Sequence, residues 1–137
     1  MRAAVGGVLE RRAIMIRLAT SADGARVFRL VCCAKGTQCP YPTFERAYGA
    51  LLGSARDVNL VAEDAEGRVW GFISLHAQNP EDADDPMAIS QIVVSPQMHG
   101  MHAWLVARSY RLVHALRHYA RALAADGGLD DRELLTA

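Results

Sequence analysis

The sequence predicts one α+β (mixed α/β) domain in the order β-α-α-β-β-β-α, built on a mostly antiparallel sheet. Three observations predict it. Val27, Leu30, Val31 and Ala34, and then Phe44, Ala47, Tyr48 and Leu51, recur at helical spacing. Three β-rich runs follow, the first two joined by Asp64-Ala-Glu-Gly67, a hairpin turn with glycine placed for positive φ. A long final helix is expected from Ala103 to Ala125, with Trp104, Leu105, Leu112, Leu116 and Leu123 as core positions.

The elements follow in order. Residues 1–14 carry Arg2, Arg11 and Arg12 around a weakly apolar stretch and are expected to be a disordered extension. The domain spans residues 15–128. Ile16 to Ala19 is a short strand, and Thr20-Ser-Ala-Asp23 supplies the cap of a helix that runs to about Ala34. Lys35 to Pro42 is a loop, after which Thr43 caps a second helix to about Leu52. Asp57 to Glu63 and Arg68 to Leu75 are the hairpin strands. Asn79 to Pro86 is an acidic loop flanked by proline, and Ala88 to Val94 is the next strand. Asp126-Gly-Gly128 ends the long helix, leaving a short polar tail, residues 129–137.

Composition bounds the function. The 137-residue chain suits one domain with a modest core, and its zero net charge argues against a nucleic-acid or membrane partner. No run is long and apolar enough for a membrane span. The three cysteines, Cys32, Cys33 and Cys39, fit neither a CxxC pair nor a zinc pattern. They point to a reducing cytoplasm, with Cys32-Cys33 as buried packing. His99-x-x-His102 and His114-x-x-x-His118 have ligand spacing, but no cysteine or carboxylate cluster completes a site, so no metal is expected. Arg111, His114, His118 and Arg121 read as a solvated basic helix face.

One stretch proposes a chemistry. Ile89-Ser-Gln-Ile-Val-Val-Ser-Pro96 is a strand that feeds His99-Gly100 and a helix N-terminus. Free N–H groups and the helix dipole there favour an anion, phosphate above all.

In this order and with these motifs the chain resembles the GNAT family of acyl-CoA-dependent N-acetyltransferases over about residues 15–110. Met15-Ile-Arg-Leu-Ala-Thr20 looks like the opening strand of that family. Val61 to His76, with Gly71, looks like its central hairpin, and Ile89-x-x-Ile-Val-Val-x-Pro96 like its fourth strand. His99-Gly100 and the following helix look like its pyrophosphate loop. The hairpin and fourth strand are most similar to small members that acetylate amines, such as aminoalkylphosphonate N-acetyltransferases. Only Gly100 of the family's loop pattern is retained, and His102 and Trp104 stand where the family has small residues. The chain also looks truncated, because the strands and helix that follow the long helix in the family are not found in its last dozen or so residues.

The resemblance implies acetyl transfer from acetyl-CoA, as cosubstrate, to a small amine by direct attack. A backbone N–H near Ile92 or Val93 would polarise the thioester carbonyl. Val94 would pair with pantetheine as an added strand would. His99, Gly100, Met101, His102, Ala103 and Trp104 would receive the diphosphate. Gln91 stands where family members often carry a glutamate base, which leaves Glu63 and His76, at the ends of the hairpin, as candidate bases acting through water. Read without the resemblance, Glu63 is a solvated turn residue and His76 a strand-end surface residue. The acidic run Glu81 to Asp85 would attract a cationic amine or be a solvated loop. Two alternatives remain open. One is a catalytically impaired relative acting as an interaction module, forming a homodimer through an exposed sheet edge. The other is a non-enzymatic ligand-binding domain.

Overall fold

A computed structural model describes residues 14–36, 39–82, 84–98 and 100–125. The helix stop at Asp126-Gly-Gly128, His99, the tail and all of the extension but Ile14 lie outside the described residues. The elements are β1 (Met15–Leu18), a single 3-10 turn (Ser21–Asp23), α1 (Gly24–Lys35), α2 (Tyr41–Leu52), β2 (Asp57–Glu63), β3 (Val69–Ala77), β4 (Met87–Val94) and α3 (Met101–Ala125). The four strands form one antiparallel sheet in the order β1-β2-β3-β4. This is the mixed α+β architecture the sequence predicts.

Strand alternation puts two apolar sets on opposite faces of the sheet. Leu60, Ala62, Ile73 and Leu75 pack with Met101, Leu105 and Val113 of α3. Val61, Phe72 and Val93 pack on the other face with Val27 and Leu30 of α1 and Tyr48 of α2. Helices therefore cover both faces. Each fully buried side chain of this core, such as Phe72, Leu60, Ile73 or Leu75, contributes about 1.5–3 kcal/mol.

Gly71 sets how closely α3 approaches. A Cβ there would lie 3.0 Å from Leu105 Cδ2 and 3.6 Å from Met101 Sδ. Gly71→Val is expected to push the first turns of α3 off β3 and to cost about 1–3 kcal/mol. A urea midpoint equal to that of the parent would show that the helix yields without loss.

Several elements depart from the sequence reading. The helix α2 begins at Tyr41, with Pro40 as its cap position and Pro42 in its first turn, so Thr43 is not the cap. A first-turn proline loses no helical hydrogen bond, since that N–H has no acceptor in the helix. Strand β3 runs on to Ala77, which makes His76 an interior strand residue. Cys33 and Cys39 are exposed and Cys32 half-buried, not packed in the core. Cys33 follows Leu30 by one turn on the same side of α1, where both line an open cleft and Cys33 meets solvent. Leu116 is 44% exposed, because the buried face of α3 ends at Val113 and the helix outruns the sheet.

Candidate functional site

Strand β4 is the outer strand of the sheet among the described residues. Opposed pairs in an antiparallel ladder alternate between bonded and non-bonded. Ser95 N–H donates to Trp70 C=O at 2.9 Å, and Phe72 faces Val93 two residues on. Val93 is therefore bonded inward to β3, and its side chain is buried. The amides of Ile92 and Val94 point to the free edge. Of the residues expected to meet an acyl carrier, Ile92 and Val94 present backbone to solvent and Val93 does not. Below them a bulge at Ser90 breaks the register between Ser74–Gln91 and Leu75–Ile89. Such a bulge increases local twist and ends regular pairing.

The edge leads straight into the turn before α3. Met98 N–H donates to Ser95 C=O at 3.0 Å, and Met101 N–H to Met98 C=O at 3.3 Å. Gly100 has φ +80, a left-handed conformation that L side chains rarely adopt. The next amides, of His102 and Ala103, are among the first of the helix and have no acceptor within it. Met101 points down, fully buried against Gly71. His102 and Ala103 are exposed. Trp104 turns away from β4: with Ile14, Met15, Ile16 and Leu112 it lines a groove beside β1, the opposite edge of the sheet. The Arg108 guanidinium sits over its ring, 5.4 Å from the centroid. The bulk that departs from the family's loop pattern is thus directed away from the turn.

The two expected bases are not together. Both oxygens of Glu63 accept from Arg17, at 3.0 and 2.9 Å. Arg17 also makes a two-pronged contact with Asp23, at 2.8 and 2.7 Å. The hydrogen bonds from Arg17 hold the Glu63 carboxyl below the usual carboxylate range, against the opposing effect of burial. Glu63 lies on β2, two strands in from the β4 edge, as the acid of a structural ion pair.

His76 lies on β3, opposite Ala88 of β4. Its Nδ1 is 3.0 Å from Asp57 Oδ1, across the β2–β3 ladder. A carboxylate at Nδ1 fixes the ring tautomer and leaves Nε2 as the proton acceptor. Burial raises the Asp57 carboxyl, but hydrogen bonds from Ser54 and His76 outweigh it, and the net displacement is downward. Alongside, Ser74 donates to Asn59 Oδ1 at 2.7 Å, and Asn59 in turn donates to Leu51 C=O at 3.1 Å. His76 lies three residues along β3 from Ile73, the partner of Ile92, a separation of about 10 Å.

Asp57 was not singled out in the sequence. Its signal was the hairpin register, which a bulge between Ala62 and Glu63 shifts by one residue. Counting back from the turn alone would set Asp57 opposite Leu75 and reverse its face.

The basic face of α3 is not solvated throughout. Arg117 donates to the carbonyls of Asp85 and Asp82, and Arg121 to that of Glu81 at 2.9 Å. Tyr110 donates to Met87 C=O at 2.6 Å. The acidic β3–β4 loop is therefore held to α3 through its backbone. His118 Nε2 lies 3.0 Å from Asp84 Oδ1, and the His114 and His118 rings are 4.2 Å apart. Among the described residues no three metal-ligating side chains converge. No described helix is long and apolar enough to cross a membrane.

No protein-family model matches the chain, and no curated protein matches it. Solved structures do. A GNAT family acetyltransferase from Staphylococcus aureus is similar at a TM-score of 0.63 and 16% identity, over 77% of this chain and 81% of that one. An aminoglycoside 6′-N-acetyltransferase from Acinetobacter baumannii is similar at a TM-score of 0.59 and 12% identity, over 86% and 91%. Spermidine N-acetyltransferase from Vibrio cholerae, in complex with CoA and spermine, is similar at 0.55 and 15%, over 74% of this chain. The chain spans 64% of that enzyme's length. At these identities the likeness shows the fold: this chain has the GNAT fold.

Proposed function

We propose that the chain is an N-acetyltransferase of the GNAT type that moves an acetyl group from acetyl-CoA to a small amine. One observation carries the reading. The free edge of β4 presents the outward amides of Ile92 and Val94 in line with the helix N-terminal amides after Gly100. An edge strand suits an amide-bearing chain such as pantetheine, and the helix N-terminus suits a diphosphate. The similar structures named as N-acetyltransferases, one of them with CoA bound, support the same reading.

In this reading the Ile92 N–H donates to the thioester oxygen as it gains charge. Val94 holds the pantetheine arm, and the amides of His102 and Ala103, after the Gly100 turn, face the diphosphate, with the Met101 amide held by Met98 C=O. Trp104, directed to the β1 side, leaves the turn open to the diphosphate. The amine nitrogen bonds to the carbonyl carbon, the carbon–sulfur bond breaks, and the thiolate leaves. The proton released by the amine passes through water to His76 Nε2, since about 10 Å separates His76 from the Ile92 register. Glu63 serves the fold, through Arg17.

Calorimetric titration with acetyl-CoA tests the binding half. Saturable binding, lost in Gly100→Trp, is expected. Absence of binding at millimolar acetyl-CoA would sink the proposal. Catalysis is tested by thiol release across a panel of small amines. His76→Gln is expected to lower the rate about a hundredfold, the scale of a lost general base, with binding intact. An unchanged rate would remove His76 from the mechanism. A second copy pairing along the β4 edge is the competing use of the same amides. It would appear in sedimentation as a dimer that acetyl-CoA dissociates.

A further inference from the structure

A cleft of about 470 Å³ lies between α1 and the β2–β3 hairpin and reaches Ser95, where β4 ends. Three arginines line it: Arg26 and Arg29 from α1, and Arg68 from the hairpin. Among the described residues Glu66 is the only carboxylate in its lining, and Leu30, Val69 and Trp70 supply apolar surface. None of these residues belongs to the β4 edge or to the first turn of α3.

Two of the guanidiniums are held in place. Arg26 donates to Asp23 Oδ1 at 2.8 Å and to Gly67 C=O at 2.7 Å, bridging helix and hairpin. Arg68 donates to Asp64 Oδ2 at 2.9 Å, lies 3.8 Å from Glu66 Oε1, and stands over the Trp70 ring at 5.2 Å. Arg29 makes no side-chain hydrogen bond or ion pair among the described residues. A guanidinium has five donors, so each arginine keeps N–H groups to spare, and Arg29 keeps all of its own. Held arginines beside apolar surface match a ligand with a phosphate at one end and an apolar or aromatic body at the other. The volume is that of a small-molecule site.

We propose that this cleft binds a phosphorylated small molecule with a flat apolar body, of which a nucleotide is the fitting class. Arg29 is the principal phosphate contact. The inference does not rest on the acetyl-transfer reading. Such a group has two sources, a free nucleotide or the nucleotide end of a larger carrier such as CoA.

The test is titration of the intact, isotope-labelled protein with adenosine 3′,5′-bisphosphate, followed by amide and indole resonances. Saturable shifts at Gly67, Ser95 and the Trp70 indole are expected, with affinity at least tenfold weaker in Arg29→Ala. The Arg29→Ala spectrum is otherwise expected to match the parent, because Arg29 is an exposed helix residue with no internal partner. No shift at millimolar ligand, shifts confined to Gly100–Ala103, or equal affinity in Arg29→Ala would overturn the proposal. Acetyl-CoA then distinguishes the sources. If it competes with the bisphosphate at Gly67 and Ser95, the cleft takes the carrier's nucleotide end. If both bind at once, the cleft serves a separate nucleotide, and either result supports it. A protein that fails to bind acetyl-CoA but shifts these resonances with the bisphosphate would sink the acetyl-transfer reading and leave the cleft standing.

Discussion

Ile92→Pro is expected to lower acetyl transfer by about 10²–10³-fold while leaving the fold in place. Proline lacks the N–H, and at Ile92 that N–H faces the free edge of β4 rather than β3. Proline is tolerated on an edge strand when its missing donor faces outward. The variant therefore removes the proposed donor to the thioester oxygen without breaking a ladder bond. Val93→Pro is the control. Val93 bonds inward and buries its side chain with Phe72 and Val61. Its replacement removes a ladder hydrogen bond, leaves the Phe72 carbonyl unpaired, and is expected to cost about 1–3 kcal/mol and to lower the melting temperature. Thiol release and circular dichroism on the pair read the two effects separately. A fully active Ile92→Pro protein would remove the β4 amide from the mechanism.

Arg17→Met is expected to destabilise the domain by about 3 kcal/mol, the lower end of the cost of stranding a buried charge. Asp23 is 1% exposed, and Arg17 grips both of its oxygens. Arg26 still reaches Asp23 Oδ1 in the variant, which keeps the loss from being larger. The same clamp predicts an acid limb of stability. The hydrogen bonds from Arg17 lower the Asp23 carboxyl to about 2 from 3.8, against an opposing burial effect. A carboxyl whose folded value lies below its unfolded one stabilises the fold when ionised. That contribution, about 2 kcal/mol, is fully present above pH ~4 and is lost as the pH falls toward 2. Glu63 is displaced in the same direction and adds to the same limb. The parent urea midpoint is expected to fall through this window, and that of Arg17→Met to fall less. Parallel curves would mean that the clamp does not set the acid limb.

The element order was legible because each element has its own local signal. Val27 and Leu30 repeat at helical spacing and are buried, and Gly67 takes φ +83 at the hairpin turn, as its place in Asp64-Ala-Glu-Gly67 requires. The start of α2 was misplaced because Thr43 gives a capping signal and Pro42, in a first turn, gives none against it. The site was only partly legible. Gly100 marks the turn in the sequence, but nothing local shows that Val93 bonds inward while Ile92 and Val94 bond outward. Trp104 looks obstructive in the chain, and its packing beside β1 follows from how α3 crosses the sheet. Glu63 looks like an available base until Arg17, 46 residues away in the chain, takes both of its oxygens.

By itself the sequence determined the fold class, the hairpin and the strand–glycine–helix segment, since each follows from the periodicity or dihedral freedom of neighbouring residues. Tertiary structure alone decided the partners: Asp57 with His76, Arg17 with Asp23 and Glu63, and the arginines of α1 and the hairpin around one cleft. The bulge in β2–β3 sets the first of these pairings, since a one-residue shift in register moves every side chain beyond it to the other face of the sheet.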